Sequence, residues 1–247
     1  MDWSNFGIWS WIIIIICAIL IGMGKTGLSG TGMIIVPIMA SVFGGKPSTG
    51  IVLPMLCIAD LFAVLYYHRH ADWKHILKLL PWTVVGLIVA LFMGANISDN
   101  TFKLLIGITI LISLGIMVWQ DYFRKSNEVP ASKWFSGSFG FGAGFSTMIG
   151  NAAGPLMAIY LLSARLPKNA YIGTGAWFFL IINYTKLPLQ IIFWKNINIH
   201  TLTLDLLMIP AIAAGAFLGF KLVKIIPEKA YRIFILVSTA ISALFML

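Results

Sequence analysis

The chain has 247 residues, of which 60% are apolar and only 10% are charged. Its mean hydropathy is +0.94. This composition excludes an ordinary soluble domain and predicts an all-α polytopic membrane protein embedded in a lipid bilayer. A formal charge of +9 would indicate a nucleic-acid partner in a soluble chain. Here the basic residues lie mostly in short loops, where they act as topology signals, so no nucleic-acid partner is expected.

Apolar stretches follow one another along the chain. Six are long enough, with their flanking residues, to cross a hydrocarbon core that needs about 20 helical residues. They cover residues 51–67, 76–95, 104–119, 170–193, 202–222 and 231–247. Four others are too short and form two pairs, 8–23 with 33–43 and 134–149 with 152–164. Each pair is either one broken helix or a re-entrant hairpin that enters and leaves by the same face.

The two pairs are interrupted in matching ways. A glycine-rich stretch at residues 23–32 precedes Pro37, and another at residues 140–151 precedes Pro155, which follows Pro37 by 118 residues. This spacing is nearly half the chain, so it predicts a duplicated unit with a first repeat at 1–125 and a second repeat at 126–247. Interrupted hydrophobic elements at corresponding positions of two halves are typical of a transporter's binding site.

Loop charge favours the hairpin interpretation, because lysines and arginines collect in cytoplasmic loops. If each pair is a single crossing, the two sides of the membrane carry seven and eight such residues, and the count is uninformative. If each pair is a hairpin, one side carries twelve and the other keeps only Lys46, Lys103 and Lys195. We therefore expect hairpins at 8–43 and 134–164.

Each half then consists of one hairpin followed by three spanning helices, which run to residue 121 in the first half and to residue 247 in the second. Because three crossings are an odd number, the second half is inserted upside down, and the chain is predicted to be an inverted repeat. Both termini are expected on the outer face of the cell's inner (plasma) membrane. The hairpin tips enter from opposite faces and meet near the midplane, where inverted-repeat transporters hold their substrates.

The predicted tips are suited to an anion. Non-helical backbone at membrane depth is tolerated only where it is packed in protein or faces a polar cavity. Helices that begin near Met33 and near Ala152 would direct free N–H groups and positive dipole ends at the tips, with Asn151 as the cap of the second helix. The candidate substrate-binding residues of the tips are Thr26, Ser29, Gly30, Thr31, Gly32, Ser146, Thr147, Gly150 and Asn151.

Three ionisable side chains lie inside apolar segments, where a charge is costly and indicates function. Lys25 is predicted to neutralise an anionic substrate, unless it snorkels to an interface. Lys186, one turn after Asn183, either lines the same cavity or pairs with an acid, and both residues are candidate substrate-binding residues. The acid would be Asp60, either half of a structural ion pair or a proton-coupling site. Alignment of the two halves puts Asn183 near the place of Asp60.

No enzyme activity, cofactor or metal is expected. The chain offers no His–Glu cluster, aspartate pair or Ser–His arrangement at membrane depth, which acid–base or nucleophilic catalysis would require. His68, His70 and His75 lie in a basic stretch and are interpreted as a solvated cytoplasmic loop rather than as metal ligands.

The motif Ser29-Gly30-Thr31-Gly32 before Pro37, the weaker echo at Gly150 before Pro155, the internal duplication and the chain length resemble the sulfite exporter TauE/SafE family. The resemblance covers essentially the whole chain. It implies a secondary transporter that exports a small sulfur-containing or organic anion, such as sulfite, sulfoacetate or another sulfonate, from the cytoplasm.

The tips depart from the pattern of that family, which usually has consecutive glycines before each proline. Thr31 and Met33 flank Gly32, while Ile149 and Asn151 flank Gly150. The substrate therefore stays open at this point, as does assembly into a homo-oligomer. The alternative function is a channel-like or cation-handling membrane protein that uses Asp60.

Overall fold

The structure is a computed structural model that describes residues 6–27, 31–95, 97–102, 133–164 and 166–227, with isolated positions between 104 and 115 and between 230 and 237. Every regular element in these ranges is helical. Several helices are long and apolar enough to cross a membrane. These findings confirm the predicted class, an all-α multi-pass membrane protein.

Nine helices are described and are numbered here in chain order. They are α1 (Ile8–Thr26), α2 (Thr31–Phe43), α3 (Gly45–Tyr67), α4 (Trp73–Ala95), α5 (Lys133–Gly150), α6 (Gly154–Ser163), α7 (Lys168–Leu189), α8 (Ile199–Leu207) and α9 (Ile209–Ile225). A short 3₁₀ turn, His68–His70, extends α3, and a π-helical turn, Gln190–Trp194, extends α7.

Within the described residues, four helices meet the length and composition of a membrane span: α1, α3 with its 3₁₀ turn, α4, and α7 with its π-helical turn. The inclusion of α1 corrects an expectation, because the segment 8–23 was predicted to be too short. The helix continues through Met23, Gly24 and Lys25 to Thr26 and reaches 19 residues.

The predicted span 202–222 is also corrected, because it is two helices, α8 and α9, bent by 48°. Pro210 lies in the first turn of α9. Proline has no N–H to donate to the preceding turn, so the helix breaks before it. The predicted spans 104–119 and 231–247 lie mostly outside the described residues.

The two predicted hairpins correspond to α1 with α2 and to α5 with α6, and the members of each pair pack against each other. The second junction differs from expectation. Asn151 has a φ of 54°, and the N–H groups of Asn151 and Ala152 donate to the carbonyls of Thr147 and Ser146 at 3.0 and 3.2 Å. Asn151 therefore ends α5 in a left-handed conformation that asparagine tolerates, and it does not cap the next helix, which begins at Gly154.

Two helix crossings rest on glycine. In the crossing of α1 with α9, Gly22 faces the Ile212 carbonyl and Gly215 faces the Ile19 carbonyl. In the crossing of α4 with α5, Gly86 and Gly144 face carbonyls in the same way. A Cβ atom at any of the four glycines would overlap the opposing carbonyl oxygen. Small residues at such positions allow close backbone approach between membrane helices.

Helix α3 lies at the centre of the described helices. Its membrane-length window is 78% buried, and it packs against α1, α2, α7, α8 and α9. This position brings Asp60 of α3 into contact with the end of the first hairpin through Lys25 of α1 and with α7 through Asn183.

The glycine crossings predict a clear mutational outcome. Gly22→Ala and Gly144→Ala should each destabilise the protein by about 1–3 kcal/mol, because overpacking forces the backbones apart. Gly115→Ala is the control, since no atom lies within 4 Å of a Cβ built there. The measurement is thermal unfolding of the purified variants in detergent. If Gly22→Ala unfolds at the temperature of the control, the close crossing is wrong.

Candidate functional site

A buried ion pair connects the first hairpin to the central helix. The Nζ of Lys25, in the last turn of α1, lies 2.8 Å from Oδ1 of Asp60 on α3. The Asp60 side chain is fully buried and that of Lys25 is 14% exposed. The other carboxylate oxygen of Asp60 accepts a hydrogen bond of 2.7 Å from the Asn183 amide on α7. The ammonium of Lys25 also lies 4.1 Å from the ring centroid of Phe179, within cation–π range.

Among the described residues, no acidic side chain pairs with the second buried lysine. Lys186 is 0% exposed, and its Nζ donates to Thr147 Oγ1 at 2.9 Å, Asn151 Oδ1 at 2.6 Å and Asn183 Oδ1 at 3.1 Å. An ammonium has three donors, so these three oxygens satisfy its hydrogen bonding. All three acceptors are neutral groups, however, and they do not cancel its charge.

Asn183 joins the two lysines into one cluster. Its amide nitrogen donates to Asp60, and its oxygen accepts from Lys186. Because one partner is an acceptor and the other is a donor, they distinguish the amide nitrogen of Asn183 from its oxygen. The cluster of Lys25, Asp60, Asn183 and Lys186 contains two ammonium groups and one carboxylate. It therefore carries one excess positive charge inside the membrane protein when all three groups are ionised.

A cavity lies beside this cluster. Its volume is about 100 Å³, several times the ~10–15 Å³ that a single water molecule requires. Both hairpins contribute to its wall: the first through α1 and α2, the second through α5, the Asn151 junction and α6. Its polar side chains include Lys25, Thr147, Asn151 and Asn183, whereas residues such as Leu56, Met157 and Phe179 make most of the wall apolar.

The cavity extends towards one end of the molecule. It continues along α6 to Leu161 and along α7 to Tyr171, which lie beside the loop that precedes Lys168. At the opposite end of α3 and α7, none of the described residues Lys46, Trp194 and Asn196 lines the cavity. The cavity therefore does not extend to the end of the molecule where α3 begins and α7 ends.

Family comparison identifies the chain. A family model described as sulfite exporter TauE/SafE matches residues 14–246. The chain belongs to this family. The match confirms the resemblance seen in the glycine–proline breaks.

A curated relative supports the same assignment. The chain is 23% identical over 205 residues to "Probable membrane transporter protein MamO" of Magnetospirillum gryphiswaldense, and the match covers 65% of this chain. It spans about a third of that relative, 32% of its length. No solved structure matches the chain.

The predicted site residues of this TauE/SafE protein fall into three groups. Lys25, Thr147, Asn151 and Asn183 line the cavity. Asp60 and Lys186 lie behind them and bind them directly. The third group does not line the cavity or is not fully covered by the described residues. Its members are Thr26, Ser146 and Gly150, which lie away from the cavity, and Ser29, Gly30, Thr31 and Gly32 of the first tip.

Two predicted hydroxyl residues have other partners. Thr26 Oγ1 lies 2.9 Å from the carbonyls of both Gly22 and Ala216, at the α1–α9 crossing. Ser146 donates to the Ala143 carbonyl in its own helix. Neither lines the cavity. Gly150 closes α5 directly before Asn151.

The first tip is described only in part. Ser29 and Gly30 lie outside the described residues, and Thr31 and Gly32 form the start of α2, with the Thr31 side chain undescribed. Two further polar features lie outside the predicted site residues: Asp205, a second buried carboxylate, and a polar cluster of Thr49, Gln190 and Asn196. Gln190 could have been noticed from the sequence, because it is a polar residue inside the apolar segment 170–193.

The ion pair predicts a thermodynamic cycle. Asp60→Asn should destabilise the protein by about 3–5 kcal/mol, because it leaves a largely buried ammonium without its counter-charge. Lys25→Met should destabilise it for the converse reason. The double variant removes both charges and should lose less stability than the sum of the two, with a coupling of at least about 1 kcal/mol. Additive losses in denaturant titrations would contradict the pairing.

Proposed function

We propose that this chain is a secondary transporter that exports a small anion bearing a sulfite or sulfonate group from the cytoplasm. The anion binds in the cavity between the two hairpins. The observation that carries the proposal is that the Lys25–Asp60–Asn183–Lys186 cluster beside the cavity contains two lysines and a single carboxylate. A buried, incompletely neutralised cation is costly, and a bound anion lowers that cost.

The hydrogen-bonding groups at the cavity suit an oxyanion. Lys25 and the Thr147 hydroxyl are donors there, and the amides of Asn151 and Asn183 line the same wall. Thr147 and Asn151 serve Lys186 as acceptors. An oxygen of a sulfonate could replace one of these two acceptors on Lys186 and would form a charge-assisted hydrogen bond.

The apolar wall favours an organic substituent. Leu56, Met157 and Phe179 contact the same space as the polar groups. Burying apolar surface contributes about 25 cal/mol per Å², an interaction that bare sulfite cannot use. Small sulfonates whose substituent is apolar therefore fit this cavity better than the inorganic ion alone.

The glycine crossings support the division into repeats 1–125 and 126–247. Gly22 meets Ile212 and Ala216 in one crossing, and Gly144 meets Thr83 and Leu87 in the other. In both crossings, the two residues that face the glycine are four positions apart in the sequence, so the two contacts have the same geometry. This correspondence is expected when the first helix of each hairpin packs against the other repeat.

The α3–α7 contact fits the same relation. Asp60 and Asn183, which the alignment of the halves makes counterparts, are 123 residues apart and hydrogen-bonded to each other. Residues at corresponding positions of two repeats contact each other when they lie beside the pseudo-twofold axis that relates the repeats. Inversion of the repeats, and the placement of both termini on the outer face of the inner membrane, continue to rest on the distribution of lysine and arginine.

The cavity extends towards the end of the molecule where Leu161 and Tyr171 lie. The count of lysines and arginines assigns this end to the cytoplasm. The anion would enter there, bind at the cluster, and reach the outside when one repeat rocks against the other. Binding has to be modest, because the anion must also leave. The cation-handling alternative lacks support, since one oxygen of Asp60 faces Lys25 and the other accepts from Asn183.

The first test is transport by the wild-type protein. Proteoliposomes loaded with unlabelled sulfite or sulfoacetate should accumulate the same ³⁵S-labelled anion by counterflow, well above protein-free liposomes. An alkyl sulfonate such as ethanesulfonate should compete more strongly than sulfite, because its apolar substituent contacts the apolar wall. Uptake of ²²Na⁺ or ⁸⁶Rb⁺ with no anion counterflow would overturn the proposal in favour of cation handling.

The second test compares two adjacent hydroxyls. Thr147→Val should raise the half-saturating concentration of the transported anion about tenfold or more, since a hydrogen bond to a charged group contributes about 1.5–3 kcal/mol. Ser146→Ala is the matched control, because its hydroxyl is turned into its own helix, and it should stay within about twofold of wild type. Equal effects of the two variants would remove Thr147 from the site.

A further inference from the structure

A second buried polar cluster lies at the end of the molecule where α3 begins and α7 ends, to which the cavity does not extend. Thr49 belongs to α3, Gln190 to the π-helical turn, and Asn196 to the loop that follows. The Asn196 side-chain nitrogen lies 3.0 Å from the Lys46 carbonyl, 3.0 Å from Thr49 Oγ1 and 3.3 Å from Gln190 Oε1. Thr49 is 1% exposed and Gln190 is 0% exposed. We call these three side chains the Asn196 cluster.

The Asn196 cluster is connected to the cavity through Asn151. The side-chain nitrogen of Asn151 donates to the Thr49 carbonyl at 3.4 Å, and its oxygen accepts from Lys186. Polar groups therefore follow one another from the buried lysine, through a cavity-lining residue, to Thr49 and Asn196. The row ends at Lys46, whose ammonium donates to the Ala95 carbonyl and lies over the Trp194 ring.

One donor in this cluster has no acceptor. The Asn196 nitrogen must face the Lys46 carbonyl, so the Gln190 oxygen must face that nitrogen. This orientation leaves Gln190 Nε2 buried, without an acceptor among the described residues, and Asn196 Oδ1 similarly lacks a donor. An unsatisfied buried amide is destabilising. Gln190 Nε2 is therefore a donor that could bind an acceptor group, such as an anion that leaves the cavity.

The backbone here is irregular, as a moving element requires. Gln190–Trp194 is a π-helical turn, a form found often at functional sites. Lys195 follows with a φ of 52°. Gly50 faces the Asn196 carbonyl so closely that a Cβ there would overlap it. Such backbone at membrane depth is tolerated where it lines a polar route.

The charged groups around the cluster leave the route open to an anion. Asp99 is occupied at the start of α3, where it accepts from the N–H groups of Gly45 and Lys46 at 3.0 and 2.9 Å. The side chains within the cluster are neutral. An anion that leaves the cavity would thus meet amide and hydroxyl donors first and the Lys46 ammonium next.

We propose that Thr49, Gln190 and Asn196 form the outer gate of the transport route, and that Gln190 Nε2 binds the anion as it leaves the cavity. The gate is closed in this structure by the hydrogen bonds of Asn196. This inference rests on the proposed function, because it assumes an anion in the central cavity. The gate itself is a property of the protein that can be measured without any anion.

The first experiment separates binding from passage. Gln190→Leu keeps the size of the side chain and removes the donor. Its affinity for sulfoacetate, measured at equilibrium in detergent, should stay within about twofold of wild type, while counterflow in proteoliposomes falls at least tenfold. Thr185→Val is the matched control on α7, since its hydroxyl donates to the Ile181 carbonyl, and it should change neither quantity. Flux equal to wild type, or an equal loss of affinity and flux, would overturn the assignment.

The second experiment detects gate opening directly. Thr49→Cys is introduced with Cys17→Ala and Cys57→Ala, because the native cysteines are free thiols. A membrane-impermeant thiol reagent added outside should label position 49 slowly. Adding Asn196→Ala removes the closing hydrogen bonds and should raise the labelling rate at least tenfold. An unchanged rate contradicts the gate.

The labelling result distinguishes the two proposals. If labelling rises in the Asn196→Ala background but the wild type carries neither sulfite nor sulfoacetate, the gate stands and the proposed substrate class is wrong. If the wild type carries the anions but labelling and the flux of Gln190→Leu do not change, the function stands and the gate is wrong.

Discussion

The burial of three charges in one contact network is the constraint on which this structure depends. Lys25, Asp60 and Lys186 come from three different helices, and Asn183 bonds to two of them. In the protein interior none of these groups could be left without a partner at acceptable cost. The positions of α1, α3 and α7 are therefore linked, and the end of α5 is linked to them through Thr147 and Asn151.

The same network explains why the cavity is polar on one side only. Its charged groups are held by fixed partners in the protein. The remaining wall is apolar and supplies contact area without directional demands. For the proposed transporter, the polar groups would recognise the charge of the anion, and the apolar wall would contact its substituent.

Much of this could be predicted from sequence, and the failures have physical causes. The breaks near Gly32 and Gly150 and the charged residues at 25, 60 and 186 are visible because glycine and charge are rare inside apolar helices. Asn151 was predicted to begin the next helix, but it ends α5 because its φ is positive, and the amino-acid sequence does not reveal this angle. Thr26 and Ser146 were misleading because a hydroxyl at membrane depth is equally suited to a backbone carbonyl. The bend at Pro210 was overlooked because the apolar run continues through it.

The excess charge of the site follows from how the two repeats differ. Lys25 lies three residues after Gly22, and Thr147 lies three residues after Gly144, so the proposed correspondence makes them counterparts. Asp60 corresponds to Asn183 in the same way. The first repeat thus contributes a neutralised pair, and the second repeat a hydroxyl and an amide without charge. Lys186 is added where the first repeat has Ala63. An ion pair in each proposed repeat would have left no unpaired lysine for an anion, so the proposed binding site depends on the difference between the two repeats.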